Sequence, residues 1–243
     1  MTRVAIIAAM PGELKPLVRG WRHERRNGVN LWRWEFDRSE WIAACAGAGV
    51  DAATRAFVEA ERDGAVSSVI STGWAGALSA GLEAGQPYWV SAVVDARTGE
   101  RFRPAKWDQE RWLVTSPKVA DEAEKHRLAA AYGAELVDME AAAVARLAAM
   151  RGIPFFCVKG VSDALQDQLP DFNRFISDDG QFRLLPFILF ILIRPWHWSA
   201  LMRMGENSSK AARGIRESLL EFLDRHDDKG ALKNRNGYPN FKP

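Results

Sequence analysis

Three carboxylates each fall at or just past the C-terminal end of an apolar, strand-like run. They are Glu13 in Ala8-Ala9-Met10-Pro11-Gly12-Glu13, Glu140 in Val137-Asp138-Met139-Glu140 and Asp163 in Gly160-Val161-Ser162-Asp163. Ligand sites of open α/β sheets gather at such strand ends. Three carboxyl groups converging there could share the work of breaking a bond to a sugar, which passes through a cationic, oxocarbenium-like ring. That reaction needs an acid for the leaving group, a base for incoming water and an acceptor for sugar hydroxyls. Taken singly, a Glu opening a helix is ordinarily a dipole-favoured surface residue, and an Asp behind a strand is ordinarily a turn or N-cap. Spacing alone therefore leaves both explanations standing. The four histidines (His23, His126, His197, His226) are scattered without ligand spacing, so neither a metal nor a cofactor is expected.

The elements that must position these residues alternate. Val4–Ala9 reads as a buried strand and Glu13–Gly20 as a short helix; Asn30–Phe36 and Glu40–Ala46 form a hairpin around Asp37-Arg38-Ser39. Val50–Asp63 is helical and Val66–Thr72 is a strand running into the glycine-rich Gly73-Trp74-Ala75-Gly76. Pro87–Ala96 reads as one longer strand, followed by Arg111–Thr115, a helix over Lys118–Tyr132, a strand at Glu135–Met139, an Ala-rich helix over Glu140–Arg151 and a buried strand at Pro154–Val161. This alternation predicts an α/β fold of three layers, a mixed twisted sheet flanked by helices. Beyond Asp163 the character changes: Ala164–Gly180 is polar and loop-like, Leu184–Ile193 is almost wholly apolar, and Ser208–Arg225 is a basic amphipathic helix. Residues 1–226 are expected to form one domain, with 164–226 an apolar and amphipathic helical C-terminal addition and 227–243 a disordered tail.

Composition sets limits. With 243 residues, 47% hydrophobic and 26% charged, the chain can build a sizeable core, and a net charge of +2 gives no reason to expect nucleic-acid binding. Ten Trp against three Tyr point to large aromatic pockets or an interfacial surface. Cys45 and Cys157 lie in apolar runs without paired spacing, and the first apolar run breaks at Pro11. Both facts suit reduced thiols in a cytoplasmic protein.

Five motifs lie in one order: Ala9-Met10-x-x-Glu13, Gly47-Ala48-Gly49, Thr72-Gly73-x-Ala75-Gly76, Val137-Asp138-Met139-Glu140 and Val161-Ser162-Asp163. Over residues 3–163 they resemble the nucleoside phosphorylase/nucleosidase superfamily, most of all its 5′-methylthioadenosine/S-adenosylhomocysteine nucleosidase branch. The resemblance implies that Asp163 is the acid that protonates the purine ring and Glu13 the base that activates water. It also implies that Glu140 accepts hydrogen bonds from the 2′- and 3′-hydroxyls, Met139 packs on the sugar, Ser162 positions the acid, and Val119 and Ala120 form the purine wall. Phosphate-using relatives carry an Arg-x-Gly-Ser pattern where this chain has Ser71-Thr72-Gly73-Trp74. The arginine and serine are missing and Trp74 would fill an anion's space, so Gly73 and Trp74 border a site for a nucleoside and water. Backbone amides around Gly47-Ala48-Gly49 are the one remaining anion cradle.

Two departures bear on the substrate. The segment between Ala96 and Leu113 is much shorter than in the nucleosidases, where it helps build the 5′ pocket and the subunit interface. The C-terminal region, with Leu169-Pro170-Asp171, Gly180 through Leu185, Arg194-Pro195-Trp196 and Leu201 through Ala211, together with Glu124 through Leu128, resembles instead the hopanoid-associated phosphorylase family. That family is implied to remove adenine from a nucleoside whose 5′-end bears a polycyclic lipid. The expected activity is hydrolysis of a 5′-substituted, adenine-type nucleoside in a homo-oligomer, with a lipid-linked substrate and a small 5′-modified adenosine as rivals. Phosphorolysis and a non-catalytic nucleoside-binding or membrane-associated role are the alternatives, and retention of all three carboxylates argues against the second. Leu184–Ile193 falls short of the roughly 20 residues a bilayer span needs. It reads as a helix packed on the core or burying an oligomer interface. A peripheral contact with the inner membrane face through 183–204 is its rival reading, given Trp196, Trp198 and the arginines around them.

Overall fold

The computed structural model describes residues 2–36, 39–105, 110–167 and 169–226. The turn at Asp37-Arg38 and the tail after residue 226 lie outside them. In chain order the elements are β1 (Thr2–Ala8), α1 (Pro11–Leu14), β2 (Arg22–Arg26), β3 (Val29–Phe36), β4 (Ser39–Cys45), α2 (Val50–Glu61), β5 (Ser68–Ser71), β6 (Trp74–Ala77), β7 (Pro87–Trp89), β8 (Ala92–Asp95), β9 (Arg101–Phe102), β10 (Trp112–Thr115), α3 (Glu122–Tyr132), β11 (Leu136–Asp138), α4 (Ala141–Arg151), β12 (Phe155–Asp163), α5 (Leu184–Leu192) and α6 (Trp198–His226). The strands form one mixed sheet in the order β2-β3-β4-β1-β5-β12-β6-β11-β10-β8-β9, with β7 pairing β12 off that path.

β12 joins the two halves. Its first residues run parallel to β5 and its last parallel to β6, while β7 lies antiparallel beside its middle. Helices α4 and α6 pack on its two faces, so β12 is buried along nearly its whole length and is apolar apart from Lys159 and the Ser162-Asp163 end. The same holds for β1, whose Ala5 and Ile7 enter one core cluster and whose Val4, Ile6 and Ala8 enter another. The first cluster takes the small faces of α2 and α4 (Ala52, Ala53, Ala56, Ala141, Ala145, Ala148), and the second takes Ile215, Leu219 and Phe222 of α6. Helices thus cover both faces, and the predicted three-layer α/β architecture is the one observed. Gly160 of β12 lets α6 come close: a Cβ there would lie 2.6 Å from Ala211 Cβ.

Several boundaries differ from the expectations, each for a physical reason. The helix expected over Glu13–Gly20 is one turn, because Pro16 has no N–H to continue the ladder. Pro87–Ala96 is two strands, β7 on β12 and β8 on β10; sequence pattern cannot show a change of partner. The helix expected from Lys118 starts at Glu122, capped by Asp121 Oδ1 accepting from the Glu124 N–H at 2.8 Å. The helix expected at Ser208–Arg225 begins ten residues earlier, at Trp198. β2, with the sequence Arg-His-Glu-Arg-Arg, is a charged edge strand with no apolar alternation to reveal it. Cys45 and Cys157 are buried and free, and burial pushes both thiols up to about 12.

Leu184–Ile193 corrects an expectation too. α5 is a helix, but none of its residues is buried; Leu185 is 72% and Leu189 62% exposed. It is not a core helix. Its inner face meets the rings of Phe172, Phe175 and Phe182 through Phe187 and Phe190, and its outer face is aliphatic and open. Among the described residues no single helix is long and apolar enough to cross a membrane, although α5 and α6 together, bent by 109°, match in length and composition.

Candidate active site

A cavity of about 380 Å³ opens at the C-terminal ends of β1, β11 and β12, and all three carboxylates line it. This volume lies in the usual range for small-molecule sites. Met139, Ser162, Trp74, Val119 and Ala120 line it as well. Gly73 lies behind the lining, against the Glu13 carboxyl.

Glu13 is 4% exposed, held by the single turn of α1. Its Oε2 accepts from the backbone N–H groups of Ala9 (2.8 Å) and Met10 (2.7 Å), and its Oε1 accepts from that of Trp74 (2.8 Å). A carboxylate offers about four lone-pair sites, so one position on Oε1 stays open to receive a proton. Burial pushes this carboxyl above its ordinary value, while the amides of Met10, Trp74 and Ala9 and the charge of Lys159 pull it back. Gly73 makes room for the group. Its φ is +118°, and a Cβ would sit 2.7 Å from Glu13 Oε1.

Glu140 lies two residues past β11 and is the N-cap of α4. Its Oε1 accepts from Gly49 N–H at 2.7 Å and its Oε2 from Met139 N–H at 3.2 Å. Burial and then the Asp138 carboxylate push it up to about 8, against the pull of Lys159 and the Gly49 amide, with Glu13 adding to the rise. Lys159, in the middle of β12, sits among these acids. Its Nζ reaches Asp138 Oδ2 at 2.9 Å and donates to the Thr72 carbonyl at 3.0 Å. Burial opposes its charge, yet Asp138, Cys157 and Glu140 carry it above the ordinary lysine value. Asp138 in turn accepts from Thr115 Oγ1 (2.7 Å) and the Ala141 N–H (2.9 Å), tying the site to the start of α4. Lys159 was legible in principle, because a lone charge inside an apolar strand must find a partner. No role was expected for it.

Asp163 closes β12 and is 7% exposed. Ser162 Oγ donates to its Oδ1 at 2.6 Å, and Lys125 Nζ donates to its Oδ2 at 2.5 Å. The lysine was not foreseen.

The purine wall expected at Val119 and Ala120 is a loop, not the first turn of a helix. Asn173 holds it: its Oδ1 accepts from Val119 N–H at 2.8 Å and its Nδ2 donates to Val119 O at 3.0 Å. Asn173 belongs to a 3-10 turn, Phe172–Phe175, in the segment read as a featureless loop. The anion cradle at Gly47-Ala48-Gly49 is already occupied. Gly47 N–H donates to Ala9 O, Ala48 N–H to Gly180 O and Gly49 N–H to Glu140. Trp74 fills its expected place with its indole N–H donated to Ser208 O of α6 at 3.0 Å, and its ring lies 3.0 Å from where a Cβ on Gly12 would be. Phe172, Ile176, Phe182 and Met204 supply an apolar part of the lining.

The phosphorylase superfamily signature matches residues 3–125 and 112–183, three quarters of the chain together. The chain belongs to the phosphorylase superfamily. Its fold is shared with solved nucleosidases. A mutant Helicobacter pylori MTAN with 5′-methylthioadenosine in its active site superposes with a TM-score of 0.71 at 16% identity, covering 93% of this chain and 99% of that one. The Arabidopsis thaliana 5′-methylthioadenosine nucleosidase gives 0.71 at 17% identity, covering 95% and 98%. Futalosine hydrolase of Helicobacter pylori gives 0.68 at 16%, covering 92% and 98%. No curated protein matches the chain in sequence.

Proposed function

We propose that the chain hydrolyses the N-glycosidic bond of an adenine-type purine nucleoside carrying a 5′-substituent. The observation that carries this reading is the convergence of Glu13, Glu140 and Asp163 on one cavity, each in a different hydrogen-bond setting. Asp163, steadied by Ser162, donates a proton to the base; Glu13, with one open acceptor position, takes a proton from water attacking C1′; Glu140 receives the 2′- and 3′-hydroxyls while Met139 packs on the ribose. Val119 and Ala120 flank the base.

Water as nucleophile is supported by what the site lacks for phosphate. The amides of residues 47–49 are committed elsewhere, and no arginine is among the described residues lining the cavity. A dianion is ordinarily held by such groups converging on one point. The test is adenine release from 5′-methylthioadenosine with and without phosphate. Free ribose product in both conditions supports the reading; phosphate-dependent ribose 1-phosphate overturns hydrolysis. Binding without turnover would favour the nucleoside-binding alternative. Full activity in Asp163→Asn would remove Asp163 as the acid.

The 5′-substituent we favour is large and apolar. Phe172, Ile176, Phe182 and Met204 line the cavity, and the ring contacts of Phe172 and Phe182 with Phe187 connect that lining to α5 with its open aliphatic face. That arrangement, with the resemblance of the motifs between Leu169 and Ala211 to hopanoid-associated phosphorylases, supports an adenosyl lipid drawn from a membrane surface on which α5, Trp196 and Trp198 rest. Adenine release from an adenosyl lipid in detergent, set beside 5′-methylthioadenosine, decides between the two. A higher kcat/KM for the small nucleoside refutes the lipid substrate.

A further inference from the structure

Lys125 lies in the first turns of α3 and is 1% exposed, as hidden as the core leucines. Its Nζ donates to Asp163 Oδ2 at 2.5 Å and to the Ala164 carbonyl at 2.6 Å. A buried ammonium is costly even when paired, and an apolar side chain of similar volume would serve packing at least as well. The surrounding chain also gives up volume for the pair. A Cβ on Gly76 would meet Asp163 Oδ2 at 3.1 Å and Lys125 Cε at 3.3 Å, so the backbone of β6 passes here without a side chain. Both members of the pair border the cavity. This is a charge built into the site at a cost that folding alone does not require.

The reaction offers a use for it. As the base leaves, the C1′–N9 bond breaks with its electron pair going to the purine, and the Asp163 proton passes to the base nitrogen N7. Water oxygen bonds to C1′ and its proton passes to Glu13. Asp163 is then a carboxylate enclosed by protein, a state disfavoured unless a cation stands beside it. Lys125 stands on its Oδ2, while Ser162 holds Oδ1.

We propose that Lys125 is a positioning residue for departure of the base: it fixes the Asp163 carboxyl and stabilises the carboxylate left when the proton moves to the purine. As the products leave, Glu13 gives its proton to solvent and Asp163 regains one, so both carboxyl groups return to their starting states. The inference rests on Asp163 being the acid.

The test compares 5′-methylthioadenosine with its 2-fluoro analogue, whose less basic purine departs with less help from an acid. Lys125→Met should lower kcat on the adenine compound about 100-fold, the scale of lost acid assistance, with KM changed less than about threefold. The loss on the fluoro compound should be about tenfold smaller. Lys125→Gln, which keeps N–H donors without charge, should show the same selective loss, and Lys125→Arg should recover most of the rate. If Lys125→Met melts early, the Gln and Arg pair still separates charge from packing. Equal losses on both substrates in the Gln variant, or no loss on the adenine compound, would overturn the proposal. Asp163→Asn is measured alongside. If it keeps full activity the acid itself is wrong; if it loses activity selectively and the Lys125 variants do not, only the role of Lys125 falls.

Discussion

Gly73→Ala puts the placement of Glu13 under direct strain. At φ +118° an alanine leaves its preferred backbone region, at about 1–3 kcal/mol. Its methyl carbon would also lie 2.7 Å from Glu13 Oε1, 2.8 Å from Cδ and 2.9 Å from Oε2, well inside contact distance. The carboxylate must swing away and give up the Trp74 amide, a charge-assisted bond of about 1.5–3 kcal/mol. Together these give roughly 2.5–6 kcal/mol of lost stability, or a melting point lower by about 5–24 °C for a chain of this size. The catalytic loss is separate: a displaced general base should lower kcat about 100-fold or more. Gly28→Ala is the control, because Gly28 also has positive φ (+79°) but nothing within 4 Å of its would-be Cβ. It should show the strain alone, with adenine release unchanged. A Gly73→Ala enzyme within about threefold of wild-type kcat would refute the assignment of Glu13 as the base held in this position.

Three further outcomes are expected. Glu140 has a folded value of about 8, above its unfolded value of 4.5, so its contribution to stability is complete below the unfolded value and is lost as pH rises through about 8. The melting point should therefore decline across that window, and Glu140→Gln should flatten the decline; an unchanged slope would mean the carboxyl is not held in this way. Gly160→Ala drives a methyl to 2.6 Å from Ala211 Cβ and should push α6 off the sheet, costing about 1–3 kcal/mol in denaturant unfolding and raising KM through Trp74 and Met204. Leu185→Glu with Leu189→Glu, both on the open face of α5, should abolish sedimentation with phosphatidylglycerol vesicles while leaving 5′-methylthioadenosine turnover intact. Equal vesicle binding by the double variant would exclude α5 as the contact.

The aromatic count shows how composition can mislead about a site. Ten tryptophans suggested a large aromatic pocket or an interface, yet among the described ones only Trp74 lines the cavity. Trp21 meets Trp34 and Trp41, and Trp32 stacks on His23, all at the β2-β3-β4 edge, while Trp89 packs on Phe222. Trp196 and Trp198 lie exposed beyond α5. The wall beside Val119 instead depends on the amide side chain of Asn173, 54 residues along the chain, which no local pattern announces.

By itself the sequence determined the α/β alternation and the strand ends at which Glu13, Glu140 and Asp163 stand. Periodicity and strand position are local properties, carried by neighbouring residues. Only the tertiary structure decided what surrounds each carboxylate. Gly73, expected beside the substrate, also clears space for Glu13; the Gly47-Ala48-Gly49 amides looked free for an anion and are spent on Ala9, Gly180 and Glu140. Lys125 and Lys159 reach their acids from 38 and 21 residues away in sequence. Such pairings depend on which elements lie side by side across the sheet. Burial then makes a few ångströms decide whether a carboxyl is a base, an acid or a hydrogen-bond acceptor.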